Sequence, residues 1–202
     1  MITNIIQKLK QQYPDARCGL NYGNPLQLLI AVILSAQSTD NVINKITPAL
    51  FSKFKTVQDF AQADLKQLEQ YVRSSGFYRN KAKNIKLCCQ QIISRHNGKV
   101  PNNMHALLQL AGVGRKTANV VLSNAFGIVE GIAVDTHVKR VSNRLGLSLE
   151  NNPYKIERDL IKIVPGEDLS IINNLFIAHG RSICTSRNPK CNICPIKQHC
   201  KY

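Results

Sequence analysis

Apolar residues recur along this chain at intervals of three and four almost throughout, and the stops between those runs are the ones helices use. Asn24-Pro25, a capping residue followed by a proline at the first helical position, opens LQLLIAVILS. That segment is apolar on nearly every side and so belongs at the centre of a domain. Asp64 with Gln67 resembles a capping box ahead of LEQYV, Asn152-Pro153 starts a further helix, and Ser170 stands where a cap for IINNLFIAH is expected. Only Ile132 to Val134 reads as extended. The pattern predicts an all-α, two-lobed protein, with the best break at FGIVEG, Phe126 to Gly131, and chemistry expected in a cleft between lobes.

Charge narrows the choice of partner. The formal net charge is +15, and no aspartate or glutamate occurs from Tyr71 to Val129, a span that holds Arg73, Arg79, Lys81, Lys83, Lys86, Arg95, Lys99, Arg115 and Lys116. Such a face attracts phosphate, and nucleic acid suits it better than a membrane surface, since no basic amphipathic terminal helix stands out. The longest apolar run, Leu28 to Leu34, is too short to cross a bilayer. Met1-Ile2-Thr3-Asn4 lacks the features of a secretion signal, which places the chain inside the cell.

Seven cysteines without a secretion signal read as thiols or metal ligands. Cys88 and Cys89, neighbours on a helix, point about 100° apart and read as small buried hydrophobes. Cys184, Cys191, Cys194 and Cys200, in CTSRNPKCNICPIKQHC, suit either zinc or an iron-sulfur cluster, and spacing alone leaves both open. The loop between the first two carries Arg187 and Lys190, so a bound metal would hold those cations in place for phosphate.

LAGVGRKTANVVLSNAF, residues 110 to 126, reads as a tight glycine turn and then a helix with one apolar face. Gly112 and Gly114 permit backbone angles that a side chain would forbid, and they let amides approach a phosphate at a helix start, with Arg115 beside them. Lys116, in the first turn, is on its own a further phosphate contact or a catalytic amine; Asp135 is on its own an N-cap.

Together with VDTHVKRVSNRLGL, LLIAVILSAQSTD, GFYRNKAKNI and the Cys-x6-Cys-x2-Cys-x5-Cys tail, this hairpin resembles the helix-hairpin-helix DNA glycosylases, in the endonuclease III family, from about Asn24 to Cys200. The resemblance implies a helical barrel lobe over residues 19–128 and a second lobe, of residues 1–18 and 129–202, that carries a four-iron, four-sulfur cluster on the four tail cysteines. It implies Lys116 as nucleophile and Asp135 as its partner. It implies Gln37 filling the space left by a flipped nucleotide and Phe77 wedging beside the opposite strand. Without it, Gln37 reads as a helix-end hydrogen-bonder, Phe77 as a core aromatic and His137 as structural.

The activity implied is that of a bifunctional glycosylase and AP lyase acting on oxidised pyrimidines in duplex DNA. The rivals are an adenine-type monofunctional glycosylase, against which Lys116 argues, and a non-catalytic DNA-binding module. Damaged double-stranded DNA is the expected partner, with a monomer acting without an obligate protein partner in a bacterial cytoplasm, at the nucleoid. Two residues depart from the family pattern. Ala111 stands where proline is frequent and is expected to loosen the turn slightly, and Phe77 replaces an aliphatic wedge.

Overall fold

The computed structural model describes residues 1–202. It is helical with no β-strand. α1 (Ile2–Gln12) is followed by α2 (Pro25–Ser35), α3 (Asp40–Lys53), α4 (Val57–Gln62), α5 (Leu65–Val72), a 3-10 turn at Arg73–Ser75, α6 (Tyr78–His96), α7 (Met104–Leu108) and α8 (Arg115–Phe126). α9 (Thr136–Arg144), α10 (Pro153–Ile163), α11 (Ile172–Ser182) and 3-10 turns at Gly166–Asp168, Cys191–Ile193 and Lys197–His199 complete the chain.

Two compact units form, Gly19–Ile128 and a discontinuous one of Met1–Cys18 with Val129–Tyr202. In the first, α2 is buried from Leu28 through Leu34 and packs against α3, α6 and α8. Its start follows the sequence: the Asn24 side chain accepts from the Gln27 N–H, with Pro25 at the first helical position. Cys88 and Cys89 are buried, and burial pushes the Cys88 thiol up to about 12 and raises that of Cys89 as well, so both are inert packing groups.

In the discontinuous unit, Ile5, Ile6 and Leu9 of α1 join a core with Val138 and Val141 of α9, Ile156 and Leu160 of α10, and Leu175 and Phe176 of α11. Ile132 to Val134 are buried in this unit but pair with no strand. Two expected caps differ from the sequence reading. Asp64 accepts from the Gln67 N–H as one half of a box, whereas the complete box lies at Thr56 and Asp59. Ser170 caps nothing: the chain enters α11 from the Gly166–Asp168 turn through Ile171, already in right-handed helical conformation, so no extended residue stands where a side-chain cap would bond back.

Candidate functional site

The hairpin within Gly19–Ile128 runs from α7 through Leu110–Gly114 into α8. Gly112 has φ +76, and a Cβ there would stand 3.0 Å from the Asn84 Cβ, so both backbone and packing require glycine. Gly114 corrects the sequence reading. Its φ of −96 is ordinary extended backbone, and nothing lies within 4 Å of a would-be Cβ, so the fold of this unit does not require glycine there. No side chain caps α8 at Gly114.

Ala111, expected to loosen the turn, brings a compensation that proline cannot. Its backbone N–H donates to Gln91 Oε1 on α6 at 2.7 Å. Arg115 and Lys116 follow in the first turn of α8, the first half-buried and the second exposed.

Gln37 and Phe77 share an unusual backbone. Both are non-glycine residues in the left-handed region, at φ 54 and φ 48, and both are exposed. Phe77 is 67% exposed, which removes the core-aromatic reading. It stands at the N-cap of α6 without a side-chain capping bond, directly after Gly76 at φ +70. An aromatic ring held outward on a strained backbone is a feature the surrounding structure must enforce.

Two of the expected surface cations are engaged by backbone carbonyls of their own unit. Lys81 is buried, and Lys86 donates to the Ala63 carbonyl at the end of α4 at 2.7 Å. The phosphate-attracting face is correspondingly smaller than the sequence suggests.

The discontinuous unit holds Asp135 and the four cysteines. Asp135 caps α9: its Oδ1 accepts from the His137 N–H at 2.8 Å and the Val138 N–H at 2.9 Å. Oδ2 lies 3.3 Å from His137 Nδ1, and the carboxylate side chain is 14% exposed. His137 also packs its Cβ against Gly180, where an added Cβ would stand 3.1 Å away, in keeping with a structural role.

Sequence reasoning missed what α9 does next. Arg140 donates to the Cys184 and Gly180 carbonyls at 3.0 and 2.8 Å. Arg144 donates to the Thr185 and Ser186 carbonyls at 2.8 and 3.3 Å, and to Cys184 Sγ at 3.3 Å, while its guanidinium lies 4.1 Å from the centre of the Tyr202 ring. Two arginines four residues apart on one helix were the available signal. Arg187 and Lys190 are exposed on the loop they hold, which is further closed by Lys190 N–H to the Ile183 carbonyl at 2.9 Å and by the Thr185 hydroxyl to the Arg187 carbonyl at 2.8 Å.

Cys184, Cys191, Cys194 and Cys200 line one pocket together with Arg144, His179 and Ile196. Four thiols lining a single pocket are the ligand set that a four-iron, four-sulfur cluster takes. His179 bridges Tyr13 and Cys194: its Nδ1 lies 3.2 Å from the Tyr13 hydroxyl and its Nε2 3.6 Å from Cys194 Sγ. Burial lowers its pKa to about 4, so a neutral ring faces the sulfur, and the charge beside the thiolates comes from Arg144.

The HhH-GPD superfamily of base excision DNA repair proteins matches residues 30–166, and the iron-sulfur binding domain of endonuclease III matches residues 184–200. Endonuclease III of Synechocystis is 49% identical over 98% of this chain and 90% of its own length. The chain belongs to the endonuclease III family. A solved non-covalent complex of an endonuclease III with DNA superimposes with a TM-score of 0.94 at 46% identity, covering 99% of this chain and 94% of that one. A trapped covalent endonuclease III–DNA intermediate matches with the same score, identity and coverage. The family match at residues 184–200 spans all four tail cysteines, so the pocket is that of the endonuclease III iron-sulfur cluster and not of zinc.

Proposed function

We propose that this chain is a bifunctional DNA glycosylase and AP lyase of base excision repair, which removes oxidised pyrimidines from duplex DNA with Lys116 as nucleophile and Asp135 as its carboxylate partner. The observation that supports the assignment of the lysine is its place: exposed, in the first turn of a helix that no side chain caps, two residues after an uncrowded glycine. A backbone phosphate drawn to those amides sets the sugar near that amine.

The Lys116 amine, once neutral, attacks C1′ and the C1′–N bond to the damaged base breaks, the base leaving with the bond electrons and gaining a proton. Lys116 is exposed in the protein alone, so the dry surroundings that favour this step come from the DNA laid over it. Ring opening leaves an imine between Lys116 and the sugar. Loss of a C2′ proton then expels the 3′ phosphate.

Asp135 has one oxygen committed to two helix amides and the other facing only His137 Nδ1, so Oδ2 is the atom with capacity to stabilise positive charge developing on the sugar. Gln37 and Phe77 enter the duplex when the nucleotide is extruded, and Gly112, Gly114, Arg115, Arg187 and Lys190 hold phosphate. Cys184, Cys191, Cys194 and Cys200 would hold the four-iron, four-sulfur cluster, which when bound would fix the Arg187–Lys190 loop between them.

In this reading Gly19–Ile128 contributes the hairpin and nucleophile, and the discontinuous unit contributes the carboxylate and cluster. The protein acts as a monomer in the bacterial cytoplasm. No helix is long and apolar enough to cross a membrane.

The test is borohydride trapping on a duplex carrying one thymine glycol. The parent is expected to form a covalent adduct and Lys116→Gln none, with duplex binding retained. Normal strand cleavage by Lys116→Gln would remove the nucleophile assignment. Tight binding by the parent with neither adduct nor base release would leave a non-catalytic binding module.

A further inference from the structure

Lys81 is 6% exposed on α6, where an apolar residue of similar length would be easier to bury. Burial pulls its pKa down, and no carboxylate relieves that. Its ammonium instead serves two backbone carbonyls from different parts of the unit. Nζ donates to the Leu34 carbonyl at 2.7 Å and to the Ser75 carbonyl at 2.7 Å.

Leu34 lies in the last turn of α2, where neighbouring carbonyls find local partners. Val32 accepts from the Ser35 hydroxyl at 2.9 Å, Ile33 from the Ala36 N–H at 3.5 Å, and Ser35 from the Ser38 N–H at 3.0 Å. Leu34 alone in that turn reaches across to α6, three residues before the left-handed Gln37. Ser75 is two residues before the left-handed Phe77, and the Lys81 backbone N–H takes the Phe77 carbonyl itself at 3.2 Å. The 72–77 turn is further closed by the Ser75 hydroxyl donating to the Val72 carbonyl at 2.7 Å.

We propose that Lys81 is a positioning residue that locks the Gln37 turn to the Phe77 turn, so that the two side chains are presented to the duplex as one rigid pair. This rests on the reading that Gln37 and Phe77 enter the duplex. Lys81 then holds two strained backbones in register before DNA arrives, which lowers the ordering needed when the nucleotide is extruded.

The test compares one abasic site in two settings: paired within a duplex, where the helix must be opened, and inside an unpaired bubble, where it need not be. Lys81→Met, confirmed as folded by thermal unfolding and as cluster-loaded by iron content, is expected to lose about tenfold or more in single-turnover cleavage of the paired substrate while staying within about twofold of the parent on the bubble. Lys81→Gln, whose amide keeps a donor for one carbonyl, is expected to fall between them and serves in place of Lys81→Met if that variant does not fold. Equal loss on both substrates, or no loss on either, overturns the lock. Full activity of a Gln37→Ala, Phe77→Ala double variant on the paired substrate removes the insertion reading and the lock together. An impaired double variant beside a normal Lys81→Met removes the lock alone. A parent that cleaves neither substrate removes the enzymatic reading on which both depend.

Discussion

Two glycines that look alike in the sequence differ as residues. Gly112 is required by its own backbone and by Asn84, whereas Gly114 sits in extended conformation facing open space. Gly112→Ala is therefore expected to destabilise the protein by about 1–3 kcal/mol, read in thermal or denaturant unfolding. Gly114→Ala should leave stability within about 0.5 kcal/mol and weaken duplex binding. A loss of stability without loss of affinity at Gly114 would return that glycine to the turn. The sequence showed that both positions are glycine but not which has positive φ, because that angle belongs to the turn as a whole. Asp135 was fully legible as a cap, since a cap is local chemistry; whether its second oxygen serves a reaction is invisible to local pattern. Phe77 was the reverse case. Its apolar character suggested a core position, and only the resemblance pointed outward, where the structure places it.

Among the elements, α6 and α9 each do more than their periodicity reveals. Gln91 on α6 accepts from the Ala111 N–H, so the hairpin is tethered at the residue where the family often has proline. Gln91→Ala should lower stability by about 1 kcal/mol in the parent and by much less in an Ala111→Pro background, where that donor no longer exists. Additive losses in that double-mutant cycle would show that the tether contributes nothing.

α9 is capped by Asp135 and carries Arg140 and Arg144 to the cysteine loop, so one helix connects the carboxylate to the cluster pocket. Cys194→Ser should therefore reduce iron content and duplex affinity together, since the loop that holds Arg187 and Lys190 is ordered from both sides. Full affinity in an iron-depleted variant would mean that the arginines of α9 order the loop unaided. Helix starts at Asn24 and Asn152 were readable because capping is written in adjacent residues. Ser170 was misread because the entry of α11 is set by the preceding 3-10 turn, which no capping rule sees.

For the molecule as a whole, the charge is a guide to partner class more than to footprint. The acid-free span from Tyr71 to Val129 commits Lys81 and Lys86 to backbone carbonyls of the protein, so a count of cations overstates the phosphate contacts. The slope of log affinity against log salt measures those contacts directly, and Arg187→Ala and Lys190→Ala are each expected to reduce its magnitude by about 1. An unchanged slope would take the tail loop off the DNA. The discontinuous unit has a consequence in time. α1 leaves the ribosome before the helices that cover Ile5, Ile6 and Leu9, so one apolar surface waits uncovered while the whole intervening unit is made. A nascent chain broken off in that interval has bare hydrophobic side chains on α1, and it carries the Lys116 amine without the Asp135 carboxylate.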